Sequence, residues 1–536
     1  MVPIALFAAA FLVRAIVGLI YQGPAYPDSY YYVNVAQQLA AGNGFQLDYI
    51  WNFVDVGGRL PDNPTLPIAS NAHWMPLASL VQVPFIWLLG AVPLAFGLPF
   101  WIVGALAAPL TWMIGRDAGL GDRTAVAGGL LVALPAGMTP WLSQPDNFGL
   151  FMTLGALALW LCARGLRGDR KAFVLGGLVV GLATLARNDG FLLGAPFALA
   201  VLNDLWRKPS GPRIGLSAAL ACAGLFALVM APWWLRQLEV FGSISPSAAS
   251  GRILWISDYR ELYSISGEPP TPASLLAQGI GPLVASRVGG LLSALALFAF
   301  IPLLGVFTPL WLVGIWQRRH DPAYAPFFVY GALLFAASAL LFAVHVPYGT
   351  FLHSAVALLP HSFLLVLVGL GAAVDWVARR RASWDRGQAT AVFTVGAIAV
   401  AAIGGAVWTA QTTSEWTDVH GPRSAIVDRL RQAPESDHVM SADPGAIEHL
   451  AGRGGIVTPD DPLPVIEEAL RAYDIRWLAL ERHAIVPALA PLLLGEERPA
   501  WLSAPVVTVA DPSRPEATRA ALYAVCFSAA DRRCAP

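Results

Sequence analysis

Charge is scarce in this chain. Only 13% of its 536 residues are Asp, Glu, Lys or Arg, against roughly 25% in an ordinary soluble domain. Several familiar motifs are missing as well. There is no Walker loop, dinucleotide-binding fingerprint or nucleophile elbow. The nine histidines match no zinc-site spacing. No basic, aromatic-interleaved stretch points to nucleic acid, and no solenoid-type repeat is present. These absences exclude a soluble nucleotide-dependent enzyme, an α/β-hydrolase and a zinc-site protein. The net charge of −1 says little, because the charges are segregated along the chain.

Apolar residues are in excess: 56% of the chain is hydrophobic and its mean hydropathy is +0.58. Runs of about 17–25 apolar residues, long enough for a spanning helix, recur. The first, about 3–20, lacks a signal-cleavage pattern and reads as an uncleaved anchor. Arg14 inside it has two readings, a snorkelling side chain or the partner of an internal carboxylate.

Basic residues fall into five short loops. These hold Arg116 and Arg123; Arg164, Arg167, Arg170 and Lys171; Arg207, Lys208 and Arg213; Arg318 and Arg319; and Arg379, Arg380, Arg381 and Arg386. The positive-inside rule makes all five cytoplasmic. The loops around Asp146, around Asp189, from 237 to 279 and from 345 to 350 then face outward. About eleven spans result, near 3–20, 99–115, 124–142, 148–163, 172–187, 190–206, 214–235, 288–316, 324–344, 355–378 and 388–410. Residues 76–96 are also apolar enough to cross, but a further crossing would reverse the topology. Pro76, Pro84 and Pro93 interrupt helical hydrogen bonding there, so the segment reads as a juxtamembrane or re-entrant helix.

From about 411 the texture changes. HVMSADP reads as a strand and turn, GAIEHLAG and PLPVIEEALRAYD as helices, and IRWLALE as a buried strand. Alternating strands and helices suggest a small α/β domain. Cys526 and Cys534 lie there, where a local disulfide would fit the oxidising side; Cys162 and Cys222 lie within spans as packing residues. The fold expected is a polytopic α-helical membrane protein of about eleven transmembrane helices. It has juxtamembrane helices in its first outer loop and a small C-terminal extracytoplasmic α/β domain. The expected division is 1–410, with the first outer loop at 21–98, and 411–536.

Asp28 heads an amphipathic helix in PDSYYYVNVAQQLAAGNGF, directly after the first span. Ionisable groups near the bilayer are functional candidates; the competing reading is an N-cap. Tyr31 lies on the same helix, and tyrosines suit a membrane interface. Asp146, in SQPDNF, stands at the outer end of a helix pair and has the same two readings. Arg187 and Asp189, in LARNDGFLL, read either as a structural ion pair or as a phosphate site. Arg236 follows Trp233 and Trp234 at headgroup level. His73, Tyr348 and His353 complete the outward polar residues.

Five landmarks resemble the GT-C membrane glycosyltransferases, chiefly the branch of protein O-mannosyltransferases and lipid A aminoarabinose transferases. Asp28 and its aromatic helix are similar to the first-loop acidic motif. HWMPLASLV, from His73 to Val81, is similar to the family's juxtamembrane His-Pro-Pro or Lys-Pro helix. QPDNF resembles the second-loop acidic motif, LARNDGFLL the Arg-Pro-Glu-Gly motif, and APWWLRQLEVFGS the Pro-Trp…Arg-Asn…Phe-Gly motif. The departures are Ser29 after Asp28, Trp74 and Met75 after His73, and Asn188 in place of proline. The likeness covers about 1–260 well and the later helices loosely.

The resemblance implies a glycosyltransferase that moves a sugar from a polyprenyl-phosphate donor to a glycan, lipid or protein acceptor hydroxyl. Asp28 would be the general base, assisted by Asp146, with Arg187 or Arg236 at the lipid phosphate. Tyr31, His73, Asp189, Tyr348 and His353 would line the substrate. The expected location is the bacterial inner membrane. Metal dependence stays open: oligosaccharyltransferases with a similar first loop use a divalent cation such as Mg or Mn, and the mannosyl and aminoarabinosyl branch does not. The rival readings are transfer of a lipid-linked oligosaccharide, which a missing Trp-Trp-Asp-Tyr-Gly motif disfavours, and a lipid-linked-glycan transporter or flippase. A non-catalytic glycan-binding subunit is a third.

Overall fold

The computed structural model describes the chain except for residues 208–212, 245–251, 343, 345–350, 382 and 528–536. It divides into two compact units.

The first unit comprises Met1–Gly23, Trp74–Ser245 and Gly281–Thr413 and is helical. Among the described residues seven helices are long and apolar enough to cross a bilayer: Val2–Ile20, Pro93–Asp117, Phe148–Leu166, Leu216–Phe241, Ile280–Phe300, Leu352–Ala378 and Arg386–His420. The last runs into the second unit from Ser414. Large apolar side chains such as Leu220, Leu228 and Leu235 are exposed along Leu216–Phe241, as a lipid-facing surface requires.

Three expectations need correction. The span expected at 288–316 is two helices, Ile280–Phe300 and Thr308–Arg318. Pro302 supplies no amide to the ladder, and Leu304 and Gly305 turn through positive φ (51° and 70°). The span expected at 124–142 is helical only over Asp122–Ala133. Pro135 ends it, and 3-10 turns at Ala136–Met138 and Trp141–Ser143 follow. Arg14 does not snorkel, and among the described residues it meets no carboxylate. It is buried, and donates to the Ala10 carbonyl at 3.0 Å and the Val132 carbonyl at 3.4 Å.

Residues 76–96 form no single long helix. Leu77–Leu80 and Val83–Leu89 are short pieces, Gly90 turns the chain at φ 80°, and Pro93 opens the next helix. Close helix approach rests on small residues. A Cβ on Gly314 would stand 1.9 Å from the Leu365 carbonyl oxygen, and one on Gly369 1.9 Å from that of Leu310. Thr308–Arg318 and Leu359–Ala378 can therefore pack only through glycine.

The second unit comprises Pro24–His73, Pro246–Ile280 and Ser414–Pro536. Its larger sheet has six strands in the order Tyr49–Ile50, Gly455–Val457, His438–Ser441, Ile475–Glu481, Arg514–Val525, Leu502–Asp511. The first four are parallel, and the last two add antiparallel. Helices Arg423–Leu430, Pro444–Ala451 and Leu463–Ala472 accompany them. One apolar cluster gathers Met440, Ile456, Leu470, Leu478 and Tyr523; a second gathers Ile426, Val439, Ile447, Trp477 and Leu522. Successive residues of the same strands, Val439 and Met440, Trp477 and Leu478, enter different clusters, as the two faces of a pleated sheet dictate. The C-terminal strands and helices read from the sequence are thus present. Residues 24–73 of the first outer loop lie in this unit too, where Tyr49 and Ile50 pair with Gly455 and Ile456, while 74–98 lie in the first unit.

Candidate active site

In the first unit, breaks in the helical ladder at Asp146 and at Arg187 present polar residues. Between the turn Trp141–Ser143 and helix Phe148–Leu166 the chain turns at Asp146. Asn147, not Asp146, occupies the N-cap position. The Asp146 side chain is fully buried, accepts the Asn147 amide, and places Oδ2 3.2 Å from His353 Nε2. His353 sits in the short helix Leu352–Ala355, with its ring stacked on Phe148 at 3.7 Å between centroids.

The helix Arg170–Ala186 ends at Arg187, whose extended backbone (φ −150°, ψ 141°) leads into the 3-10 turn Asn188–Leu193. Arg187 Nε donates to Asp189 Oδ1 at 2.9 Å and to Ser354 Oγ at 3.0 Å. The Ser354 hydroxyl donates to the other Asp189 oxygen. Tyr330 donates to the Ser354 carbonyl at 3.2 Å. The consecutive residues His353 and Ser354 thus join two clusters that the sequence treats as separate, Asp146 on one side and Arg187–Asp189 on the other. Ser354 and Tyr330 carry no sequence signal: each is one hydroxyl in an apolar run.

Arg236 lies near the end of Leu216–Phe241 with its guanidinium carbon 5.0 Å from the Trp233 ring and 5.5 Å from the Phe241 ring. Such a stack keeps a cation among apolar groups. Tyr348 lies outside the described residues.

In the second unit Asp28 occupies the first turn of Pro27–Ala40 but does not cap it. Tyr26 holds the N-cap position, and Ser29 inside the first turn ties back to it: its Oγ accepts the amides of Ala25 at 3.0 Å and Tyr26 at 3.2 Å and donates to the Tyr26 carbonyl at 2.8 Å. The N-cap reading of Asp28 is therefore replaced by a carboxylate one position inside the helix. Burial pushes the Tyr259 and Tyr263 hydroxyls above their ordinary pKa, and the Asp28 charge adds to both shifts.

Tyr31 is buried, and its hydroxyl accepts the Asn71 amide. His73 lies 5.7 Å from the Trp51 ring. On the same helix, Asn34 and Gln38 donate to Asp48 Oδ2 at 2.7 and 2.6 Å, and Asn34 also bonds Glu448. Burial first, and then the Asp48 charge, pushes the Glu448 carboxyl up to about 7.

For a divalent cation, the first unit offers a carboxylate oxygen of Asp146 and an imidazole nitrogen of His353. These are suitable donor types, but two are fewer than the four of a closed zinc site.

No protein-family model and no curated protein sequence matches this chain. Solved structures do. The chain is similar over 99% of its length, and 99% of the other's, to ArnT from Cupriavidus metallidurans bound to undecaprenyl phosphate, with TM-score 0.58 at 15% identity. The apo state of that ArnT matches over 97% of both chains, with TM-score 0.57 at 15% identity. The Archaeoglobus fulgidus oligosaccharyltransferase in complex with Zn and sulfate matches over 89% of this chain and 68% of its own, with TM-score 0.55 at 13% identity. The fold of this chain is similar to theirs.

Proposed function

We propose that this protein is a membrane glycosyltransferase. It moves a sugar from a polyprenyl-phosphate donor to an acceptor hydroxyl on the extracytoplasmic face. The observation that carries this reading is the nearly end-to-end fold similarity to ArnT bound to undecaprenyl phosphate. About eleven crossings, a cytoplasmic N-terminus and an extracytoplasmic second unit in a bacterial inner membrane complete the topology.

The acceptor oxygen attacks the anomeric carbon, and its proton passes to the Asp28 carboxylate. The bond from the anomeric carbon to phosphate oxygen breaks, and its electron pair leaves with the lipid phosphate. A positioned base contributes roughly 10²–10⁴-fold. In-line displacement inverts the anomeric configuration. Arg187 is braced by Asp189 and Ser354, so its guanidinium is pre-oriented to meet the departing phosphate, where developing charge is greatest. Asp146, held by His353, orients the acceptor.

An oligosaccharide donor is the second reading, favoured by the fold shared with the archaeal oligosaccharyltransferase. Proteoliposomes offered radiolabelled polyprenyl-phosphate monosaccharides and a lipid-linked oligosaccharide separate the two. Label moving from a monosaccharide donor to an acceptor, with inverted configuration, is expected. Retained configuration, or lipid crossing the bilayer with no sugar transferred, would overturn the reading.

A further inference from the structure

Open α/β sheets take ligands at the carboxyl ends of their strands, where neighbouring connections leave in opposite directions. The larger sheet of the second unit has such a point. From His438–Ser441 the chain leaves through Pro444–Ala451 to Gly455–Val457 on one side; from Ile475–Glu481 it leaves to the antiparallel pair on the other. Asp443 follows the first strand and Glu481 ends the second.

This point is filled by the chain itself. Arg423 is buried, 2% exposed. Its Nε donates to both Glu481 oxygens, at 2.9 and 3.0 Å, and its Nη1 to Asp443 Oδ2 at 2.9 Å and His420 Nδ1 at 3.1 Å. The other ring nitrogen, His420 Nε2, lies 2.9 Å from the Ala25 carbonyl oxygen and 3.5 Å from the Tyr30 hydroxyl. One turn earlier, the Trp416 ring lies 5.8 Å from that of Tyr26. The Tyr30 ring stands 6.0 Å from His420 and 5.6 Å from His449, and a Cβ on Gly445 would meet Tyr30 Cβ at 3.1 Å. What is seated here is therefore the stretch Ala25–Tyr30, gripped on both sides of Asp28.

The partners also fix the protonation of the ring. A guanidinium only donates and a carbonyl only accepts. Nδ1 is therefore bare and Nε2 carries the proton, so the seated His420 is neutral. A second proton would go on Nδ1, facing Arg423, and would turn a hydrogen bond into the repulsion of two cations. Arg423 keeps its own proton and is held by two carboxylates, so the ring is the partner that gives way. Tyr30, Asp443 and His483 are the other ionisable groups around the ring. Glu481 stands behind Arg423 and 3.7 Å from His483 Nδ1.

We propose that His420 is a positioning residue with a proton-sensitive grip: neutral, it joins Arg423 to Ala25 and seats the turn that carries Asp28; protonated, it releases that turn. The consequence for catalysis rests on the glycosyltransferase reading; the grip itself does not. Because the seated form is the neutral one, the seat is complete above the ordinary histidine pKa of about 6.5 and is lost as pH falls below it.

The test uses the full chain in lipid, comparing wild type with His420→Ala, with His420→Gln, whose amide does not titrate, and with His483→Gln. Amide hydrogen exchange over 24–32, corrected for its intrinsic pH dependence, and the kcat and KM of sugar transfer are read at pH 8 and pH 5. In wild type, exchange is expected to quicken and kcat to fall at pH 5, with KM little changed. His420→Ala is expected to exchange fast at both pH values and to lose about ten- to hundredfold in kcat from misplacement. His420→Gln is expected to lie between them at pH 8 and to show no further step at pH 5, and His483→Gln to follow wild type. Unchanged exchange in His420→Ala would overturn the grip. Equal wild-type exchange at the two pH values, a step that persists in His420→Gln, or one that vanishes in His483→Gln would overturn the proton sensitivity. Faster exchange with unchanged kcat would overturn the positioning role. A wild type that transfers no sugar would overturn the glycosyltransferase reading and the positioning role, while the exchange data still judge the grip.

Discussion

Asp146 and His353 are 207 positions apart in sequence and 3.2 Å apart in the structure, the carboxylate fully buried and the imidazole stacked on Phe148. The pair makes each residue legible only through the other. Taking one donor away from a buried carboxylate costs about 1–3 kcal/mol. His353→Ala is therefore expected to lower the thermal midpoint and the transfer rate. Asp146→Asn in that background is expected to restore part of the stability. Additive losses in a double-mutant cycle would contradict the coupling.

Arg187 uses its Nε toward both Asp189 and Ser354. Lysine carries the charge but has no planar fork to be braced in this way. Arg187→Lys is expected to raise the donor KM about tenfold, equivalent to about 1.4 kcal/mol, and Ser354→Ala is expected to do so by less. Steady-state kinetics with varied donor reads the difference. A donor KM unchanged in Arg187→Lys would remove the phosphate role.

Glu448 belongs to the second unit, and one of its oxygens is buried without a hydrogen-bond partner. Its carboxyl is pushed up from 4.5 to about 7 by burial and by Asp48. The folded protein thus resists the charged form, so stability is fully present below about 4.5 and is lost as pH rises toward and through about 7. Glu448→Gln is expected to raise the melting temperature at pH 8 and leave it near wild type at pH 4. A gain of equal size at both pH values would contradict the electrostatic cause.

Gly455 pairs in the centre of the parallel strands, where an added Cβ would lie 1.8 Å from the Val439 carbonyl oxygen. Backbone on both sides leaves nothing to yield. Gly455→Ala is expected to destabilise the second unit by about 1–3 kcal/mol or more, the range for overpacking, seen as a lower thermal midpoint. A midpoint within error of wild type would show that the strands can separate at no cost.

The sequence reveals what depends on local pattern. The long apolar helices Val2–Ile20 and Phe148–Leu166, and the strand–helix alternation from His438 to Glu481, carry periods long enough to read. Tyr49–Ile50 does not: a two-residue strand has no period, and its partner Gly455 is some 400 positions away. The break between Ile280–Phe300 and Thr308–Arg318 hides in continuous hydrophobicity, with Pro302 and Gly305 as its only marks. In the site, Asp146, Arg187, Asp189 and His353 stand out as polar residues in apolar surroundings. Their pairing does not, because it runs through Ser354, one hydroxyl whose role is set by tertiary contact. Ser29 shows the reverse case. Both it and Asp28 are cap-type residues at a helix start, and only the backbone decides that Tyr26 takes the N-cap and Ser29 bonds its amide.

Asp28 stands in the first turn of that helix and not at its N-cap, and the proposed chemistry turns on it. The most direct measurement is sugar transfer from a labelled polyprenyl-phosphate monosaccharide in proteoliposomes, wild type against Asp28→Asn, with donor binding measured in parallel. Loss of a positioned base is expected to lower transfer roughly 10²–10⁴-fold while donor binding persists. Equal transfer by the two proteins would contradict the general-base role and return Asp28 to the structure of its helix.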